Sequence, residues 1–197
     1  MVSTIVNVHI GYDAGSPLDF TQTHRIYAER HGYEYRQITR NLIPDALPTW
    51  SKHPAALAVI DDRDAVMIID SDAQILETCP PFDQVVTDNH RYDLFLVLGH
   101  SFRPNAGLIL LRGGPSSVAG DFLRTLLAER LMPPTDHARP GGDNGHVISV
   151  LRRAPFRDKL FILAPTWNNT MKACDWDHIR HYTGPMRDAF PAAAEAR

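Results

Sequence analysis

Cysteine is scarce: Cys79 and Cys174 are the only two in 197 residues. They are far apart and lack metal-ligand spacing, so neither a disulfide framework nor a zinc ribbon is indicated, and a reduced, cytoplasmic setting fits. No stretch is rich in Lys and Arg, and the formal net charge is −3. This argues against a nucleic-acid partner held by phosphate neutralisation, while leaving room for a local basic pocket. No apolar run approaches the roughly 20 residues that span a bilayer, and no basic region precedes an apolar one at the N-terminus. Internal repeats, heptads and low-complexity segments are also missing. What is present is 44% hydrophobic content, enough for one well-buried domain.

The opening reads as strand, helix, strand. Thr4 to Ile10 is β-branched and apolar, and ends in a loop, Gly11 to Ser16, placed to face a ligand. Ser16-Pro17 predicts an N-cap and first helical residue, with the helix running to His31, Gly32 closing it, and Phe20, Ile26 and Tyr27 on its buried face. Tyr33 to Thr39 supplies the second strand of a parallel unit with a right-handed crossover. A proline-punctuated loop, Asn41 to Thr49, precedes a short helix from Pro54 to about Ile60.

Later segments keep this alternation. Leu94 to Leu98 predicts a strand, and Pro104-Asn105-Ala106-Gly107 feeds another, Leu108 to Arg112. A helix follows to about Leu131, with Phe122, Leu123, Leu126 and Leu127 as core. Met132 to Gly142 is a Pro- and Gly-rich loop suited to a lid, Asp143 to Arg153 a helix, and Phe161 to Leu163 a strand. The fold class is therefore α/β, a Rossmann-like domain with a mostly parallel sheet flanked by helices.

The stretch with chemical content is Ala65-Val66-Met67-Ile68-Ile69-Asp70-Ser71-Asp72. Its apolar run predicts a strand buried on both faces. Ligands of open α/β sheets gather at the carboxyl ends of strands, so Asp70 and Asp72 deliver two hard oxygen ligands there. Asp-Ser-Asp is also an ordinary strand-ending turn. Asp143 is equally a helix N-cap, Lys52 a solvated lysine and His181 a satisfied core histidine.

Four pieces occur in order: Gly11-Tyr12-Asp13 after the first strand, Asp70-Ser71-Asp72, Asn105-Ala106-Gly107, and His181-x-x-Gly184-x-x-Arg187. Together they resemble the retaining GT-A glycosyltransferases of the glycogenin and lipopolysaccharide-galactosyltransferase kind, with the related galactosyl/mannosyltransferases. The resemblance spans residues 1–190, leaving 191–197 as an expected disordered tail. It implies that Asp70, Asp72 and His181 hold a divalent cation, manganese or magnesium, with the diphosphate of a nucleotide sugar, such as a UDP-sugar. It also implies that Gly11, Tyr12, Asp13, Lys52, Ser71, Gly184 and Arg187 contact the nucleotide. Asn105 and Ala106 would approach the sugar and acceptor, and Asp143 and Asn144 would support the transferred sugar. The expected partners are that donor and a saccharide, glycan or other hydroxyl acceptor.

Two departures stand out: Arg187 replaces the usual lysine and Asn144 the usual glutamine. The chain also lacks the basic amphipathic C-terminal segment of relatives that act on lipid-linked acceptors, which implies a soluble acceptor or a partner protein. Two other classes stay in view. A magnesium-dependent aspartyl-phosphate phosphatase would use Asp70 as nucleophile, and a catalytically silent module would only bind the nucleotide sugar.

Overall fold

A computed structural model describes residues 2–13, 15–134 and 141–190. Its elements follow in chain order as β1 (Ser3–Val8), α1 (Thr21–His31), β2 (Glu34–Ile38), α2 (Lys52–Leu57), β3 (Ala65–Asp70), β4 (Ala73–Ile75), α3 (Phe82–Asp88), β5 (Leu94–Leu98), β6 (Pro104–Arg112), α4 (Ala119–Glu129), α5 (Asn144–Leu151), β7 (Leu160–Ile162), β8 (Ile179–His181) and α6 (Pro185–Asp188). The main sheet has the order β2-β1-β3-β6-β5-β7, and β4 and β8 form a separate pair. Strands β1, β2 and β3 are mutually parallel, as are β5 and β7, while β6 runs antiparallel to both of its neighbours.

β3 is buried on both faces, as its sequence predicts. Val66 and Ile68 join a core covered by α2, α4 and α5, while Met67 and Ile69 join a second core containing Tyr27 and Ala28 of α1 and Phe82 and Val86 of α3. All four β3 side chains are fully buried, and removing each from water contributes about 1.5–3 kcal/mol as an upper bound. The α4 stripe Phe122, Leu123 and Leu126 lies in the first core, also as predicted.

Several expectations need correction. The first helix starts at Thr21 rather than at Pro17, because Ser16 to Asp19 form a turn and the Phe20 N–H donates to the Ser71 carbonyl at 2.9 Å, outside the helix. Ile26 points outward, 46% exposed, and His24 takes the buried position instead. The second helix begins two residues earlier than predicted, at Lys52, as the continuation of a 3-10 turn over Pro48–Ser51. Asn105-Ala106-Gly107 lies within β6 rather than before it, and β3 has one antiparallel neighbour rather than two parallel ones. Residues 135–140 of the expected lid, and the expected tail 191–197, lie outside the described residues. Among the described residues no helix is long and apolar enough to cross a membrane.

His24 ties α1 to the functional end of the sheet. It is fully buried, its Nε2–H donates to the Ala73 carbonyl, and its Nδ1 has no hydrogen-bond partner among the described residues. Burial pushes its pKa down from 6.5 to about 4, since protonation would create a second N–H with no acceptor. Between those values the unfolded chain binds a proton that the folded chain refuses, so stability falls as pH drops through this window. Urea midpoints at pH 7 and pH 4.5 should show the wild type losing on the order of 2 kcal/mol more than His24→Gln, which keeps a donor without the titration. Equal losses would refute this account of His24.

Candidate active site

β3 ends at Asp70, and the chain turns through Ser71 and Asp72 directly into β4. The Ser71 hydroxyl donates to the Val8 carbonyl at 2.9 Å and accepts from Asn7 Nδ2 at 3.1 Å, fastening this turn to the end of β1. β4 pairs antiparallel with β8, with Ala73 opposite His181, and the Tyr182 N–H donates to the Asp72 carbonyl at 2.9 Å. This register sets the His181 ring against the two aspartates. Nε2 lies 3.2 Å from Asp72 Oδ1 and 4.0 Å from Asp70 Oδ2, and one ligand atom from each of the three residues falls within 4.8 Å of the others. Two hard carboxylates and one imidazole, aimed at a common point, fit a divalent cation.

Gly107 of β6 makes this convergence possible. A Cβ built there would stand 2.0 Å from His181 Cε1, so the imidazole occupies the space that a side chain would take. Gly184, at φ +53°, plays the same part for another ring, since its Cβ would lie 2.5 Å from His100 Cε1.

Lys52 is not the solvated lysine that one reading allowed. It is 1% exposed, and its ammonium donates to Asp70 Oδ1 at 2.9 Å and to the Ala106 carbonyl at 2.8 Å, and lies 3.1 Å from Asp143 Oδ2. Burial alone would lower its pKa, but the Asp143 and Asp70 carboxylates outweigh burial and hold it above the ordinary lysine value. Its neighbour His53, fully buried, donates from Nε2 to the same Asp143 oxygen at 2.9 Å. Burial would raise the Asp143 pKa, yet Lys52 and His53 prevail and keep the carboxyl well below the usual carboxylate range. Asp143 stands before α5 without capping it through its side chain, so the N-cap reading is replaced by an ion-pair role.

Asn144 Oδ1 accepts the Ala106 N–H at 2.8 Å, joining α5 to β6. Asn105 Oδ1 accepts from the Gly107 N–H at 2.9 Å and from Asn168 Nδ2 at 3.0 Å. Arg187 donates to Asp72 Oδ2 and, through Nε, to the Tyr182 carbonyl at 2.8 Å. Burial would raise the Asp72 pKa, and His181 with Arg187 brings it below the ordinary value. Tyr12 stacks on His9 with ring centroids 5.0 Å apart, and burial with the nearby Asp72 and Asp70 raises its hydroxyl pKa.

These groups surround one cavity of about 550 Å³, within the range of small-molecule sites. Tyr12, Lys52, Asp70, Ser71, Asp72, Asn105, Ala106, Asp143, Asn144, His181 and Arg187 line it. Gly11, Asp13 and Gly184 do not form its wall. His100, Ser101, Arg103 and Thr183 do, and sequence reading missed them. The only sequence signal of the first three was position, between a predicted strand and the Asn-Ala-Gly segment, while Thr183 lies inside the His181-x-x-Gly184 spacing.

Gly107→Ala tests the packing of His181. The added methyl must push the imidazole away from Asp70 and Asp72, so manganese binding followed by paramagnetic resonance should weaken by at least about tenfold, the equivalent of about 1.4 kcal/mol. Unchanged manganese affinity in a folded Gly107→Ala protein would contradict the geometry.

No protein-family model and no curated protein sequence matches the chain. Solved structures do. A glycosyltransferase involved in glycosylation of the major capsid of PBCV-1 has 12% identity and a TM-score of 0.68, covering 98% of this chain and 100% of that one. The galactosyltransferase LgtC, in complex with donor and acceptor sugar analogs, has 11% identity and a TM-score of 0.53 over 92% of this chain and 87% of its own. The apo-form glycosyltransferase GlyE of Streptococcus pneumoniae TIGR4 has 16% identity and a TM-score of 0.54 over 93% of this chain, which spans 55% of GlyE. Identities this low speak to architecture alone: the chain adopts the single α/β domain, with a mostly parallel central sheet flanked by helices, of GT-A-type glycosyltransferases.

Proposed function

We propose that the protein is a metal-dependent glycosyltransferase that moves a hexose from a nucleotide diphosphate sugar, a UDP-sugar by preference, to the hydroxyl of a saccharide or other acceptor, with retention at the anomeric carbon. The observation that carries this reading is the convergence of Asp70, Asp72 and His181 on one point at the wall of the 550 Å³ cavity, at the carboxyl end of β3 in a GT-A fold. The resemblance of the four sequence segments to retaining enzymes supplies the stereochemistry. Neither the phosphatase nor the silent-module alternative gains a supporting observation.

In this reading Asp70, Asp72 and His181 hold manganese or magnesium, which when bound supplies positive charge to the departing diphosphate. Arg187, half-exposed and already beside Asp72, turns its guanidinium to the phosphate oxygens, where its planar fork suits bidentate contact. Tyr12, with Gly11 and Asp13 in the same loop, flanks the base and ribose. Ser71 keeps the turn between Asp70 and Asp72 rigid rather than reaching the ligand, because its hydroxyl is held by β1. Lys52 and His53 fix Asp143 beside the sugar, and Asn144 presents its remaining amide N–H groups there. Gly184 gives the chain the turn that brings Arg187 back to Asp72. Asn105 and Ala106 border the transferred sugar. No side chain is assigned as a nucleophile: Asp143 orients the sugar and steadies positive charge that develops at the anomeric carbon, and the leaving phosphate takes the acceptor proton on the same face.

Thermal melts with UDP or ADP, each with manganese or EDTA, test the reading. UDP with manganese at about a hundred times its dissociation constant should stabilise the fold by about 2.7 kcal/mol, and EDTA should remove the effect. Asp72→Asn should lose the manganese-dependent shift and the turnover of UDP-sugars. A wild type that no nucleotide shifts, or an Asp72→Asn protein as active as the wild type, would overturn the proposal.

A further inference from the structure

The connection between β5 and β6 is a tight turn. The Phe102 N–H donates to the Gly99 carbonyl and the Gly99 N–H to the Arg103 carbonyl, both at 2.9 Å. The His100 N–H donates to Thr170 Oγ1 at 2.7 Å, so the turn is fastened to the chain that leads into β8. Within this turn Phe102 has φ +55°, and among the described residues no other non-glycine has a positive φ. An aromatic residue is disfavoured in that conformation, where glycine would rest without strain. Its side chain gains nothing in return from packing: Phe102 is 82% exposed, more than any other large apolar residue described. A strained, unpacked aromatic at a fixed position calls for a role outside the fold.

The position supplies one. His100, Ser101 and Arg103, on either side of Phe102, line the cavity. In the sheet, β1 and Tyr12 lie on one side of β3, and β6 and β5 lie on the other. The cavity thus runs from Tyr12, past Asp70 and Asp72, to the β5–β6 turn. If the nucleotide occupies the β1 end, the second substrate reaches the sugar from the turn.

The surroundings decide its chemistry. Phe102 follows His100 and Ser101 and precedes Arg103 in the chain, so an exposed aromatic face stands within two residues of hydrogen-bonding groups that line the cavity. A protein partner would call for a contiguous apolar patch. A pyranose ring presents the complement of this surface, with an apolar C–H face and hydroxyls around its edge.

We propose that Phe102 is a stacking platform for the acceptor saccharide, held at the outer rim of the cavity by the strained β5–β6 turn, with His100 and Ser101 bonding the sugar hydroxyls. The identity of the ligand as an acceptor rests on the glycosyl-transfer reading, while the platform itself rests on the turn.

The test combines stability with binding to an array of immobilised mono- and oligosaccharides, in the presence of UDP and manganese, for wild type, Phe102→Gly and Phe102→Trp. Phe102→Gly should melt a few degrees higher, because strain is relieved. It should lose about tenfold or more in saccharide binding, as removal of one stacking surface does. Phe102→Trp should retain binding, and the shift with UDP and manganese should be the same in all three. Array binding by Phe102→Gly equal to the wild type overturns the platform, and so does a wild type that retains no saccharide while still shifting with UDP. Saccharide binding that depends on Phe102 in a protein that UDP fails to shift would keep the platform and overturn the transferase reading.

Discussion

The buried ammonium of Lys52 holds the site together. Removing a charge from water costs several kcal/mol, and the loss is recovered only where every proton finds a good acceptor. Here three protons meet three oxygens from three elements: Asp70 at the end of β3, the Ala106 carbonyl in β6 and Asp143 at the start of α5. None of these can move alone without costing the buried ammonium one of its three acceptors. His53, the next residue on α2, adds a second bond to Asp143, so one short helix sets the positions of two carboxylates that line the cavity.

A second constraint is geometric. His181 reaches Asp72 only because two three-residue strands, β4 and β8, pair in one register, and because Gly107 leaves space for the imidazole. The loop that precedes β8 is itself pinned from within. Asn169 exchanges backbone hydrogen bonds with both Ile179 and His181, and the buried Asp177 accepts from Asn169 Nδ2 and the Cys174 N–H, both at 2.8 Å. A small sheet of this size has little stability of its own. It depends on the core beneath it, where Ala73, Ile75 and Ile179 are buried with the β3 side chains Met67 and Ile69.

Charge links the two constraints. Asp70 and Asp72 are each compensated from within the protein, by Lys52 and by Arg187 respectively. The two cations differ in freedom. Lys52 is enclosed and fixed, whereas Arg187 is half-exposed on the short α6 and can leave Asp72 for a phosphate. The departure from lysine at this position therefore keeps a cation where an anion is expected, with a longer and flatter head.

The sequence by itself determined the types of the longer elements and the ends of the sheet that carry chemistry. The run Val66 to Ile69 reads as a strand buried on both faces, and that reading places the residues after it at a strand end. The order of the motifs then pointed to the GT-A architecture, which the structure has. Tertiary structure decided which of those residues meet. Hydrophobic periodicity specifies which face of an element is buried and not which distant segment it meets, so nothing local could show that Lys52 would be enclosed, that His53 would share its partner, or that Asp143 would pair with both rather than cap its helix. β4 and β8 are too short to carry a periodic signal. Phe102 shows the same limit, since no motif or periodicity marks the stretch between the two strands, and the strain and exposure that set it apart arise from the closure of β5 onto β6.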